Sequence, residues 1–137
     1  MPKQSMKLPL TSLMPVVKAW WPALLYMAAI FILSAQSKLP ELPGPILSWD
    51  KSLHLIAYLG LGFVLFRAVS LTPLLGPGLY PQSLLVGALY GASDELHQRF
   101  VPGRTMDFFD WLADVMGLAL ALLIIGIIKN RRANGGK

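Results

Sequence analysis

From Ala19 to Ser37 the chain carries no charged residue, and the segment includes WWPALLYMAAIFILSA. Such a run spans a hydrocarbon core about 30 Å thick as a helix, and inside lipid only a helix or a closed barrel satisfies its own backbone. Trp20 and Trp21 at its start fit an interfacial belt. A basic stretch precedes it, as in a signal peptide. The run is nevertheless longer than an ordinary signal core and no clean small-x-small cleavage site follows, so a retained span is expected.

Three more spans follow from the same logic. The second runs roughly from Lys51 to Phe66, with Arg67 closing it. The third covers about Gln82 to Gln98. The fourth starts near Thr105 or Asp107 and ends near Lys129, with Thr105 as N-cap and Asp107 favouring the first turn through the helix dipole. KLPELPGP (38–45) is too proline-rich to be helical throughout, and LTPLLGPGLYP (71–81) reads as a loop near the interface. The expected fold is all-α, an integral membrane bundle of four transmembrane helices. Residues 1–18 form a basic N-terminal tail, 19–129 the membrane domain and 130–137 a basic C-terminal tail.

Composition agrees with a membrane protein. Hydrophobic residues make up 55% of the chain and charged ones only 14%, against about a quarter charged in soluble domains. The net charge of +5 is not a nucleic-acid signal, because the basic residues flank apolar runs. Lys3, Lys7, Lys18, Arg67, Lys129, Arg131, Arg132 and Lys137 fall on one side of a four-span topology. Lys38, Lys51, Arg99 and Arg104 fall on the other. The positive-inside rule then puts both termini in the cytoplasm. There is no cysteine, which excludes disulfides, a thiol nucleophile and thiolate metal sites.

The acidic residues are distributed unlike the rest. Of seven, five (Asp94, Glu95, Asp107, Asp110 and Asp114) lie between Tyr90 and Asp114. On the second span Lys51, His54 and Tyr58 are spaced i, i+3, i+7, which is one helical face. Asp107, Asp110 and Asp114 repeat that spacing on the fourth span, and Gly117 continues the face. On the third span Asp94 and Gln98 are i, i+4 neighbours, with Tyr90 and His97 alongside. A charge facing lipid at mid-depth costs roughly 2.5–3.5 kcal/mol. The economical arrangement turns all three stripes into a shared pocket, open to the outer face, where carboxylates meet Lys51, Arg99, Arg104 or a protonated histidine. Gly87 and Gly91, spaced as GxxxG, with Gly60, Gly62 and Gly117, would allow close helix approach.

Several chemistries fit. Asp94 or Glu95 with His54 or His97 could act as acid and base. Carboxylates plus histidine are ligands for Mg²⁺ or Mn²⁺, although no HExxH-type spacing is present and the nearby cations oppose a dedicated cage. Lys51, Arg99 and Arg104 could instead engage an anion. Plainer readings stand beside these: Asp107 as a helix start, Tyr58 and Tyr90 as interfacial aromatics, Arg99 as a solvated loop residue. A proton-coupled transporter ranks last. After Asp114 the fourth span has nothing titratable until Lys129, and the second has nothing between Tyr58 and Arg67.

The order of these residues resembles the VanZ-like family of small integral membrane proteins. The resemblance rests on SAQSKLP, WDKSLHLIAYLGLG and YGASDELHQRFVPGRTMDFFDWLADVMG, together most of Ser34 to Gly117. The family pattern of Asp-Lys-x-x-His-x-x-x-Tyr, Asp-Glu-x-x-Gln, Pro-Gly-Arg and spaced aspartates falls on Asp50, Lys51, His54 and Tyr58, then Asp94, Glu95 and Gln98, then Pro102, Gly103 and Arg104, then Asp107, Asp110 and Asp114. The resemblance implies a multi-pass protein of the bacterial cytoplasmic membrane. The family name comes from a member that lowers teicoplanin susceptibility, but it supplies no reaction.

The resulting expectation is an outward-facing pocket that binds, and in one version modifies, a lipid or lipid-linked envelope molecule. Asp94, Glu95 and His54 would be catalytic. Lys51, Tyr58, Gln98, Arg104, Asp107, Asp110 and Asp114 would bind the substrate, with a divalent cation as an optional cofactor. The rival is a non-catalytic membrane protein whose polar stripes lock the bundle or dock a partner. Oligomeric state is left open.

Overall fold

The computed structural model describes residues 14–37, 46–72 and 78–135, which form four helices and no strand: α1 (Met14–Ser34), α2 (Ile46–Leu71), α3 (Leu79–Gln98) and α4 (Phe108–Asn134). The Pro-rich connector at 38–45, residues 73–77 of the second loop and residues 1–13 of the basic tail lie outside the described residues.

The helices exceed the expected spans. α1 begins at Met14 rather than Ala19, and α2 runs from Ile46 to Leu71 rather than from Lys51 to Phe66. Arg67 therefore does not close α2; it lies within the helix and donates from Nη1 to the Ala19 carbonyl at 3.2 Å. A charge makes a lipid-facing position costly, but it does not break a helix as proline and glycine do. α3 starts at Leu79, three residues early, and accommodates Pro81 in its first turn, where a backbone N–H has no intrahelical partner. Thr105 is not the N-cap of α4. That role belongs to Asp107, extended at φ −124° and ψ 121°, whose side chain accepts from the Phe109 amide. The last helix continues to Asn134, past the expected end at Lys129.

Three of the helices, α1, α2 from Trp49 and α4, are long and apolar enough to cross a bilayer. α3 is not, and its burial pattern gives the reason. It turns Gln82, Ser83, Asp94, Glu95 and Gln98 inward and leaves Leu85, Leu89 and Leu96 exposed. The polar residues that lower its average hydropathy are the ones it hides.

Contacts fix the directions. Lys51 near the start of α2 meets Asp110 at the start of α4, so these helices run parallel. Ser34 at the end of α1 meets Asp94 near the end of α3, so these are parallel too. Gly87 faces Leu118 while Gly91 faces Asp114, making α3 antiparallel to α4. The topology is up-down-up-down, with α2 touching every other helix and α1 not touching α4 among the described residues.

The close approach is made by small residues, as lipid offers no hydrophobic force to draw helices together. A Cβ on Gly117 would run into the Leu55 carbonyl oxygen and the Leu59 amide of α2. On Gly62 it would meet the Ala121 Cβ at 2.6 Å. The α2–α4 seam is thus backbone against backbone. α1 is the peripheral helix, tied at one end by the Trp20 indole to Thr72 Oγ1 at 2.6 Å and midway by the Tyr90 hydroxyl to the Met27 carbonyl at 2.6 Å.

Candidate functional site

The parallel pairing of α2 and α4 places their i, i+3, i+7 stripes in register. Lys51 Nζ lies 2.8 Å from Asp107 Oδ2 and 2.7 Å from Asp110 Oδ1. One turn deeper, His54 Nδ1 lies 2.9 Å from Asp114 Oδ1 and 3.9 Å from Glu95 Oε1. Tyr58, another turn on, is 1% exposed, and its hydroxyl has no hydrogen-bond partner among the described residues.

α3 and the turn after it close the cluster. Glu95 Oε1 accepts from Gln98 Nε2 at 3.2 Å and Oε2 accepts from the Asp107 amide at 2.9 Å. Gln98 Oε1 in turn accepts from Arg104 Nε at 3.1 Å and Nη2 at 2.8 Å. Gly103 makes this possible. At φ 81° it occupies the left-handed region that other residues avoid, and the turn returns Arg104 toward the helix it has just left. Arg104 Nη2 also lies 3.7 Å from Asp50 Oδ1, within ion-pair range but beyond a hydrogen bond.

All ten residues singled out in the sequence therefore gather at one end of the bundle, where α2 and α4 begin and α1 and α3 end. They do not all face the same space. A cavity of about 370 Å³ opens between α1 and the α2–α3 pair, lined by Ile30, Leu33, Ser34, Gln36, Asp50, Leu53, His54, Ala57, Tyr58, Asp94 and Arg104. Asp94, His54, Tyr58 and Arg104 are in its wall. Lys51, Glu95, Gln98, Asp107, Asp110 and Asp114 are not in that wall; Asp114 bonds to His54 and Gln98 to Arg104 from outside it.

Two contributors carried no usable sequence signal. Ser34 Oγ lies 2.6 Å from Asp94 Oδ1 and 3.1 Å from its own Phe31 carbonyl. A serine ending an apolar helix is commonly satisfied by that local bond alone, so nothing marked it as Asp94's partner. Asp50 belonged to the quoted motif without a site role, yet it lines the cavity.

Other side chains fall away from the cluster. Arg99 is exposed and pairs with no carboxylate among the described residues. His97 stacks under Phe31 at 4.1 Å and does not line the cavity. Tyr90 pins α1 and is not an interfacial aromatic.

Over nearly its whole length, residues 3–129, the sequence matches the family model VanZ/LLP1. The chain belongs to the VanZ/LLP1 family. No curated protein and no solved structure matches it. The family match reaches from the basic N-terminal residues to Lys129 and so takes in the whole of the cluster.

Electrostatics and donor chemistry constrain what this VanZ/LLP1 site can do. Six carboxylates (Asp50, Asp94, Glu95, Asp107, Asp110 and Asp114) share the end of the bundle with Lys51, Arg104 and His54. Two triads, Asp50–His54–Asp110 and His54–Glu95–Asp114, have donor atoms within 4.8 Å of one another, close enough to share a divalent ion. In the second, the His54–Asp114 contact and both Glu95 oxygens already take part in hydrogen bonds. Asp114 Oδ2, in contrast, is buried without a hydrogen bond among the described residues.

Asp107, at the helix start outside the apolar span, has its carboxyl held below the usual range by Lys51, with help from the Phe109 amide. A depressed carboxyl pKa gives stability that is present above the unfolded value of about 3.9 and lost as pH falls through the folded value. Melting temperatures followed below about pH 4 should therefore fall less steeply in Asp107→Asn than in the parent. Parallel curves would mean that the Lys51 contact does not act through Asp107's charge.

Proposed function

We propose that this VanZ/LLP1 protein is a four-span protein of the bacterial cytoplasmic membrane that binds a lipid or lipid-linked envelope molecule. Its polar end faces outward and both termini are cytoplasmic. The crossing by α3 is supported by its outward Leu85, Leu89 and Leu96 and its inward polar face. The orientation is supported by the basic excess at the opposite end.

One observation carries the binding reading: a single cavity joins an apolar wall to a polar one. Ile30, Leu33, Leu53 and Ala57 line it beside Ser34, Asp94, His54 and Arg104. That is the shape an amphiphile needs, with its chain against the first set and its head at the second. The volume of about 370 Å³ falls in the range of small-molecule pockets, about 300–1,000 Å³.

The His54–Asp114 pair favours a second reading, in which the bound molecule is also modified. A carboxylate 2.9 Å from one ring nitrogen fixes the tautomer and orientation of the imidazole. His54 lies in the cavity wall, where its other nitrogen could move a proton to or from a bound head group. In this version Asp94 shares the acid/base work and Glu95 and Asp114 position His54.

A phospholipid with a photoreactive group on its acyl chain tests binding. Adducts should concentrate on Leu33, Leu53 and Ala57 and should be lost in Ala57→Trp, which fills the cavity. Adducts spread evenly over outward residues such as Leu85, Leu89 and Leu123 would instead favour polar stripes that only lock the bundle.

A further inference from the structure

One carboxylate in the cavity's polar wall is only half satisfied. Among its residues, Asp94 is 3% exposed; its Oδ1 accepts from Ser34, while its Oδ2 is buried with no hydrogen-bond partner among the described residues. No lysine, arginine or histidine forms an ion pair with Asp94 among the described residues. Among the described residues Asp50 Oδ1, 3.7 Å from Arg104 Nη2, and the Tyr58 hydroxyl are also buried without a hydrogen bond. Neither nearby cation answers Asp94. Lys51 lies between Asp107 and Asp110, outside the cavity wall, and Arg104 gives Nε and Nη2 to Gln98.

A buried carboxylate without a counter-charge is costly, and so is a buried acceptor without a donor. Ordinary structures avoid both, so their coincidence in one cavity wall indicates a partner that arrives with the ligand. An ammonium group supplies both missing items, a positive charge and three N–H donors. A phosphate or carboxylate without an ammonium would bring Asp94 neither a positive charge nor a donor. A trimethylated ammonium would bring the charge but no N–H.

We propose that the cavity takes a membrane lipid whose head group carries a primary ammonium, donated to the Asp94 carboxylate. The acyl chain lies along Ile30, Leu33 and Leu53. This deepens the lipid-binding reading above and rests on it. Asp50 and Tyr58 flank the ammonium, and Ser34 holds the Asp94 carboxylate from the α1 side. The inference also gives α1 a role beyond anchoring, because the serine that orients the key carboxylate comes from the peripheral helix.

The test uses the full chain and the photoreactive-lipid adduct at Ala57, displaced in turn by phosphatidylethanolamine, phosphatidylcholine and phosphatidylglycerol of matched chains. Phosphatidylethanolamine should displace the probe at about a tenfold lower mole fraction than either competitor, as for one charge-assisted hydrogen bond. Asp94→Asn should remove most of that preference. Equal displacement by the three lipids overturns the ammonium assignment and leaves lipid binding standing. Absence of any adduct at Ala57 overturns the lipid reading itself. Should Asp94→Asn fail to fold, ethanolamine heads bearing one, two and three N-methyl groups decide in the parent protein. A loss that comes mainly at the trimethylated head, the one without an N–H, supports the assignment, and one that grows evenly with each methyl overturns it.

Discussion

Gly117→Leu is expected to abolish the folded bundle, and Gly117→Ala to lower its stability by about 3 kcal/mol, the upper part of the range for overpacking. The size follows from what lies opposite. At Gly87 an added Cβ would meet the flexible end of Leu118, which can rotate away. At Gly117 it would meet the Leu55 carbonyl oxygen and the Leu59 amide nitrogen, backbone atoms of a hydrogen-bonded helix. Only a shift of α2 relative to α4 relieves that clash, and any shift separates Lys51 from Asp110 and His54 from Asp114 at the polar end. Gly126→Ala is the matched control on the same helix, because its nearest neighbour would be the Tyr80 hydroxyl at 3.9 Å. Thermal unfolding of detergent-purified protein, followed by loss of the monodisperse species, should rank the parent and Gly126→Ala together and far above Gly117→Ala. Equal melting of the two alanine variants would show that the α2–α4 seam does not depend on backbone proximity.

Much of this architecture is readable before any coordinates, and for one reason. Lipid makes each ionisable group costly, so Lys51, His54, Asp110 and Asp114 must be hidden, and their spacing says on which face. The parallel register that sets Lys51 against Asp110 and His54 against Asp114 then follows from equal spacing on both helices. Helix ends were less legible. The penalty that marks where lipid stops is not the penalty that stops a helix, so α2 passes through both Asp50 and Arg67. Average hydropathy also misleads for α3, since it sums inward and outward faces that live in different solvents. A pocket follows from the stripes, but the share of α1 in its wall was not legible. It arises because α1 packs on α2 and α3 but not on α4, and Ser34 gives no sign in the sequence of the carboxylate it will meet. Nor does spacing separate residues that face the cavity from those behind it: Asp94 and Glu95 are adjacent in the chain, yet one lines the space and the other is held by Gln98 and the Asp107 amide.

Lys51→Met should be the most damaging single change at the polar end. The ammonium is the one cation within ion-pair reach of both Asp107 and Asp110 among the described residues, and the Asp110 side chain is 4% exposed. Losing one partner of a buried pair costs about 3–5 kcal/mol, because the other charge stays buried without compensation. Lys51 itself is 29% exposed, so water screens part of this and a loss of roughly 2–3 kcal/mol is expected. The cost should come from the stranded carboxylate rather than from the missing lysine stem. Asp110→Asn in the Lys51→Met background removes that charge and should recover at least about 1 kcal/mol, whereas Asp110→Asn alone should destabilise. The sign reversal between the two backgrounds is the measurement, read from unfolding midpoints of the four proteins in one detergent. If Asp110→Asn shifts stability by the same amount with and without Lys51, the two groups are not coupled. The stripes on α2 and α4 would then be neighbours without being partners.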